Sequence, residues 1–489
     1  MPDLAIDLSR VALKRRRTKI VATVGPASST ADALVGLIEA GVDVFRLNFS
    51  HGTHESHQQA FTAIRAASAR ANKQVAVLGD LCGPKIRVGT FEGGGIDLEW
   101  GTEVVVTVRE VEGKPGLIPS EYRALVGDVV PGDRILLDDG KLQLQVKQVQ
   151  GETEIRCEVE AGGRLTNKKG MNLPGVRVST PALTEKDKAD AAFAVKLGVD
   201  YLALSFVRAP TDVADLKALL RDLQAETPVI AKIEKPEALD TIGGILEVAD
   251  AIMVARGDLG VEMAAEEVPL IQQELVRLAV AAHKPVIVAT QMLESMIESA
   301  RPTRAEVTDV AAAALSRADA VMLSAETASG KHPREAVATM DRVLRMVEGY
   351  QWKRGQHGKV AESPLQGNVQ ARLNAALSRA TSMLSGELEV RAVVAPTRTG
   401  RMARLISSAR PAAPVLALTS SETLCRRMQL LWGVAPEMAS TVELEAPAPL
   451  ARAAVQRLGL ASAGQHILLV WDASPDRSGL APTVSILSV

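Results

Sequence analysis

Lys232 and Glu234 stand two residues apart at the far end of an apolar run, PVIAKIE. On an extended strand, residues two apart point to one face. A buried strand that ends in an amine and a carboxylate on the same side has a charged task at its tip. A short run later, ARGDLG puts Arg256, Gly257 and Asp258 at another strand end. Two carboxylates, with water and substrate completing the shell, are how Mg²⁺ is usually held. Lys232 beside Glu234 and Asp258 adds the compact positive charge that a transferring phosphoryl group needs. If ARGDLG opens a short turn or helix, free backbone N–H groups there would bind a carboxylate or phosphate. Residue types alone thus point to a divalent-metal site for an anionic substrate.

The elements that must carry these residues recur along the chain. Eight short β-branched runs read as strands: 19–25, 42–50, 75–81, 199–207, 227–234, 249–260, 284–292 and 318–328. Most are flanked by stretches with helical apolar spacing. Continuous apolar strands separated by helices predict a parallel sheet covered on both faces. Eight such units predict an α/β fold, a (β/α)8 barrel, whose active site forms at the C-terminal strand ends. Six of the eight ends are polar: Arg46, Asn48, Ser50 and His51; Asp80; Lys232 and Glu234; Arg256, Gly257 and Asp258; Thr290 and Gln291; Ser324 and Glu326. Any one of these reads equally well as a salt bridge or a polar cap. Six at one rim read as a site.

Between the third and fourth strands the pattern changes to glycine-rich, period-2 runs with hairpin turns such as DDGK. This predicts an all-β lid domain over 84–178, inserted into a barrel formed by 1–83 and 179–345. A polar, glycine-rich stretch follows at 349–368. Alternating helices and strands then predict a C-terminal α/β domain over 346–489. In it, APTRTGRMARL places Thr397, Arg398, Thr399, Gly400 and Arg401 between a strand and a helix, with Arg404 nearby. Hydroxyls, backbone N–H groups and arginines make a phosphate nest, or an ordinary βα turn with solvated arginines. SPDRSGLAP (474–482) is placed to help close that site.

Bulk properties narrow the classes. A formal charge of −2 argues against nucleic acid or an anionic membrane as a main partner. No run of apolar residues is long enough to span a bilayer, and the N-terminus carries no signal-peptide pattern. The three cysteines, Cys82, Cys157 and Cys425, lie far apart, which fits a reducing cytoplasm and neither a disulfide framework nor a zinc site. The KRRR run at 14–17 reads as a solvated charge run before a strand. His51, His54 and His57 imitate a zinc spacing but read as exposed residues at a helix start, since a structural zinc site wants four ligands. No GxxxxGK[ST] occurs, so a nucleotide would bind without a P-loop.

The segments FRLNFSHG, GPKIRVG, KGMNLPG, AKIEKPEAL, ARGDLGVE, VIVATQMLESMI, RPTRAEVTDVA and AVMLSAETASGKHP resemble, in order, the motifs of the pyruvate kinase family. The resemblance covers nearly the whole chain. It implies a (β/α)8 barrel with an inserted lid and an effector domain, in a cytoplasmic homotetramer. It implies phosphoryl transfer from phosphoenolpyruvate to ADP, giving pyruvate and ATP, the final step of glycolysis. Carried over, Lys232 stabilises the phosphoryl group in flight, and Arg46 contacts its oxygens. Glu234 and Asp258 hold Mg²⁺ or Mn²⁺. Gly257, Asp258 and Thr290 position the substrate carboxylate. Asn48, Ser50, His51, Arg87 and Lys186 face the nucleotide. Thr290, Ser324 and Glu326 line a proton path, with an ordered water as donor. Many members hold K⁺ with groups matching Asn48, Ser50, Asp80 and the Leu81 carbonyl. They carry Glu where this chain has Lys85, and polar groups where it has Leu81, Cys82 and Val88. The Lys85 ammonium can replace the charge of K⁺, so activity without K⁺ is expected, with a weak K⁺ site left open. In the family the 397–401 loop binds a phosphorylated activator, and GDLCGPKIRVG resembles the bacterial branch answering to AMP or sugar monophosphates more than the fructose-bisphosphate branch. Two other readings stay open. A metal-dependent aldolase or lyase would share the carboxylates but not depend on ADP. A metabolite sensor with a relic barrel would form no pyruvate.

Overall fold

The computed structural model describes residues 12–358, 369–471 and 482–489. Eight parallel strands close into a barrel: Lys19–Thr23, Val44–Asn48, Ala76–Asp80, Tyr201–Leu204, Val229–Ile233, Ala251–Ala255, Val286–Ala289 and Ala320–Leu323. The first strand pairs with both the second and the eighth, which closes the cylinder. Each strand is shorter than its apolar run suggested. The 249–260 run is strand only to Ala255 and turns into a helix at Arg256–Glu262; the 318–328 run stops at Leu323, before a helix at Ala325–Ala328. Four or five residues per strand suffice to build the barrel, and the remainder of each run forms its rim.

Side-chain alternation builds the interior in two levels. Val21, Val44, Leu78, Tyr201, Ala203, Ile230, Met253, Ile287 and Met322 point inward and pack together below. Continuing the same parity toward the C-terminal ends reaches Thr23, Arg46, Asp80, Ser205 and Lys232. The apolar level is the platform, and the polar level stands on it. The outward parity, Ile20, Phe45, Val77, Leu202, Ala231 and Ile252, packs under the helices.

The insertion is built mainly of β-strands, with a six-stranded sheet from Glu103–Thr107 to Met171–Asn172, a two-stranded ribbon pairing Gly95–Leu98 with Gly163–Thr166, and a short α-helix at Leu125–Asp128. It has a core of its own around Val106, Ile118, Leu144 and Val159. The C-terminal unit is a five-stranded sheet in which Val434–Met438, Val415–Thr419, Val393–Pro396 and His466–Trp471 run parallel and Thr483–Ser488 is antiparallel. It covers the N-terminal end of the barrel. Leu430 from this unit, fully buried, joins the inward-facing apolar level. Tyr201 Oη donates to Arg427 O at 2.6 Å, and Lys19 Nζ to Val434 O at 2.6 Å.

Half of the KRRR run departs from the solvated reading: Lys14 and Arg15 are exposed, but Arg16 and Arg17 are not. Arg16 pairs with Asp43 at 2.9 Å and Asp341 at 3.0 Å. Arg17 is buried, donates from its guanidinium to Ala412 O at 3.1 Å, and its backbone N–H meets Glu348 at 2.7 Å. Carboxylates under the barrel, Asp43, Asp341 and Glu348, hold these arginines, which sequence spacing could not reveal. Of the 474–482 segment, all but the last residue lies outside the described residues, as does the second half of the glycine-rich stretch before the C-terminal unit.

Candidate active site

At the C-terminal mouth, Lys232 Nζ lies 2.8 Å from Glu234 Oε1 and 3.4 Å from Asp80 Oδ1. It donates to Ser205 Oγ at 2.7 Å. Lys232, Glu234, Asp80 and Ser205 are all buried. Arg46 Nε donates to Asp80 Oδ2 at 2.6 Å, and Arg46 Nη1 to Thr23 Oγ1 at 3.2 Å. Five of the eight strands thus contribute to one connected cluster.

The charges tune each other. Burial works against the Lys232 ammonium, but Asp80 and then Glu234 outweigh it and hold its pKa above the ordinary lysine value. Burial pushes the Glu234 carboxyl up, and the charge of nearby Asp258 adds to this, against Lys232. Asp80 goes the other way: burial is outweighed by Lys232 and Arg46, which keep it ionised. Its Oδ1 is buried without a hydrogen-bond partner. Two oxygen anions brought together beside a buried, unsatisfied carboxylate oxygen are a hard-ligand environment that suits a Mg²⁺-sized cation.

Gly257 and Asp258 open the Arg256–Glu262 helix, as the reading of ARGDLG requires. The Gly257 N–H is not free, however: it donates to Thr290 Oγ1 at 2.7 Å. Thr290 and Gln291 both adopt positive φ, 70° and 54°. Arg256 holds this strained turn, donating to Thr290 O at 2.7 Å while both its terminal nitrogens grip Asp309 at 2.5 and 2.6 Å. Ser324 and Glu326 sit on the next strand end. Glu326 is buried and accepts from Leu293 N at 3.1 Å and Ser324 N at 2.7 Å. Burial raises its pKa despite these bonds.

The nucleotide candidates spread outward from this cluster. Asn48 Oδ1 accepts from Ser50 N at 3.1 Å. His51 is exposed; partial burial lowers its pKa, and the positive charges of Lys85, Arg87 and Arg46 add to that. Lys85 is exposed at the same mouth. Arg87 donates to Lys168 O at 2.9 Å. Lys186 Nζ reaches Phe49 O at 2.9 Å and Asp190 at 2.5 Å. The Leu81 carbonyl accepts from Ser205 Oγ at 2.7 Å. A cleft of about 40 Å³ between lid and barrel is lined by Lys85, Asp139, Asn172, Lys235 and Asp258. A far larger cavity, about 1020 Å³, opens beneath the barrel among Arg15, Lys73 and Arg345, and no rim residue lines it.

The three histidines do not converge. His57 is buried against His51 O at 2.9 Å, while His54 meets Asp190 at 2.7 Å. Among the described residues no cluster of His, Cys, Asp and Glu forms a metal cage of three or more. In the C-terminal unit Gly400 has φ 73° and caps the Arg401–Ser408 helix. The loop's hydroxyls bond its own backbone: Thr397 Oγ1, buried, accepts from Gly400 N at 2.9 Å and Thr399 Oγ1, exposed, from Arg401 N at 3.4 Å, while Arg398 pairs with Glu445.

Ser205, Thr23, Arg256 and Asp309 are the site neighbours that motif reading left without a role. Ser205 and Thr23 had a signal. They continue the inward parity of the fourth and first strands, whose ends were passed over.

A lidded (β/α)8 barrel with a polar C-terminal rim is the class this fold defines, and three comparisons narrow it. The family model for the pyruvate kinase barrel domain matches residues 15–337, and that for the pyruvate kinase alpha/beta domain matches residues 375–487. Proteins named pyruvate kinase from Staphylococcus aureus, strains USA300 and NCTC 8325 among them, are 46% identical over 422 residues, covering 86% of this chain and 71% of theirs. A crystal structure of a pyruvate kinase from Cryptosporidium parvum matches with a TM-score of 0.88 at 34% identity, over 97% of this chain and 96% of that one. The chain belongs to the pyruvate kinase family, phosphotransferases that act on phosphoenolpyruvate and ADP. No helix among the described residues is long and apolar enough to cross a membrane.

Proposed function

We propose that the cluster around Lys232 carries out phosphoryl transfer from phosphoenolpyruvate to ADP, giving pyruvate and ATP. The observation that carries this reading is the buried Lys232 ammonium, 2.8 Å from Glu234 and beside Asp80, at the barrel mouth. Glu234 and Asp258 would hold Mg²⁺ or Mn²⁺, which when bound draws charge from the phosphoryl and substrate oxygens. Lys232 and Arg46 offset the negative charge of the moving phosphoryl group. Thr290, with the Gly257 N–H it now accepts from, orients the substrate carboxylate; the substrate takes over that N–H. Glu326, whose carboxyl burial pushes above its ordinary value, and Ser324 support delivery of a proton to the enolate through water. Asn48, Ser50, His51, Arg87 and Lys186 face the nucleotide phosphates.

Lys232→Met tests this. Turnover in a coupled pyruvate assay falls by about a hundredfold or more, while Mn²⁺ binding largely survives. Near-normal turnover in that variant ends the reading.

Activity does not require K⁺. The Lys85 ammonium, close enough to depress His51, supplies the charge at that corner, and Asp80 is already flanked by Arg46 and Lys232. Full activity in potassium-free, sodium-free buffer supports this; a strict K⁺ requirement contradicts it. The Thr397–Arg401 loop receives a phosphorylated effector, AMP or a sugar monophosphate, in a homotetramer. Its hydroxyls and N–H groups now bond each other, and a phosphate would draw them outward. A panel of phosphorylated metabolites, scored by the phosphoenolpyruvate concentration at half-maximal rate, identifies the activator.

A further inference from the structure

We infer that Ser205 is a positioning residue for phosphoryl transfer, aiming the Lys232 ammonium; this rests on the role proposed above for Lys232. An ammonium has three N–H groups. Two are held at hydrogen-bonding distance, by Ser205 Oγ at 2.7 Å and Glu234 Oε1 at 2.8 Å. Asp80 Oδ1, at 3.4 Å, accepts no hydrogen bond. The third N–H is therefore only loosely engaged, and it is the one a phosphoryl oxygen can take.

Ser205 differs from the other partners in carrying no charge. Remove its hydroxyl, and the ammonium is left between two carboxylates. It then closes onto Asp80 and Glu234, and its charge is spent on them instead of on the substrate. The hydroxyl's own orientation is fixed as well. A serine has one proton, and here it goes to Leu81 O at 2.7 Å. The lone pairs must then face Lys232, so the serine can only accept.

The next residue strengthens the case. Phe206 has φ 54°, a left-handed conformation that costs a β-carbon residue energy. That conformation aims its N–H at Glu234 Oε2, 2.8 Å away. Consecutive residues on one strand end thus fix both partners, the amine through a side chain and the carboxylate through the backbone. Strain held at such a place is a mark of function rather than of packing.

The test uses the full chain with saturating Mg²⁺. Ser205→Ala is expected to lower kcat roughly 100-fold, the scale of a displacement near 1 Å of a catalytic group. KM for phosphoenolpyruvate and Mn²⁺ affinity stay within about threefold, because only the transition-state interaction is lost. Ser205→Thr, which keeps the hydroxyl, recovers at least about tenfold over the alanine variant. Lys232→Met is run beside them. If it stays near the wild-type rate, the role of Lys232 itself is wrong. If it collapses while Ser205→Ala keeps kcat within about threefold, the inference about Ser205 alone is overturned. Equal losses in the alanine and threonine variants, with a lowered unfolding temperature, assign the serine to packing and overturn it too.

Discussion

Burial strips water from Lys232, Glu234 and Asp80, and the charge of each then bears strongly on the others. Removing one member therefore changes the rest. Asp258→Asn relieves part of the repulsion that raises Glu234. The variant is expected to bind Mn²⁺ at least about tenfold more weakly, since one of two anionic ligands is gone. Its metal-free thermal stability should be unchanged or higher. Titration followed by Mn²⁺ spectroscopy, with unfolding in chelator, checks both halves. Unchanged affinity would remove Asp258 from the metal site. At this scale the sequence was a good guide to charged residues, because a lysine or glutamate in an apolar run is conspicuous. It was a poor guide to hydroxyls. Ser205 looks like an ordinary member of a strand, and its importance lies in partners 27 residues ahead, at Lys232, and 124 behind, at Leu81.

Elements place these side chains through simple parity. An inward-facing position low in a strand is apolar, and the next one up at the rim is polar, as in Ile230 and Lys232 or Leu78 and Asp80. That rule was readable from the amino acids, as were the eight barrel strands, the β insertion and the α/β end. The point where each strand stops was only partly readable. ARGDLG did mark a strand end within the 249–260 run, but the 318–328 run stays compatible with a strand past Leu323, where the structure starts a helix at Ala325 instead. Loop geometry after the third strand was also hidden. Gly83 has φ 68°, and a β-carbon there would lie 2.7 Å from the Phe206 ring and 3.0 Å from Ser205 Cβ. Gly83→Ala therefore presses on the strand end that holds Lys232 and Glu234. We expect a loss of about 1–3 kcal/mol in urea unfolding together with reduced kcat. A variant as stable and active as the parent would show that this loop gives way freely.

Across the whole molecule, the arginines of the KRRR run bind the chain's start to the barrel floor. Asp43 is the anchor. Burial alone would raise its pKa, but Arg16, Lys19 and Lys73 outweigh this and drive it well below the usual 3.8. A carboxyl with a depressed folded pKa stabilises above its unfolded value and loses that contribution as pH falls toward the folded one. Asp43→Asn is therefore expected to cost about 3 kcal/mol near neutral pH, the scale of a broken buried pair. The gap from wild type narrows as pH drops below about 4. Denaturant melts at several pH values test this; a gap independent of pH would make Asp43 a packing residue only.

Leu430 draws a wider consequence from the same floor. A residue of the last third of the chain completes the inside of the barrel built by the first two-thirds. The catalytic cylinder is thus a vessel whose stopper is moulded from another part, and cutting the chain near 345 would leave it uncorked.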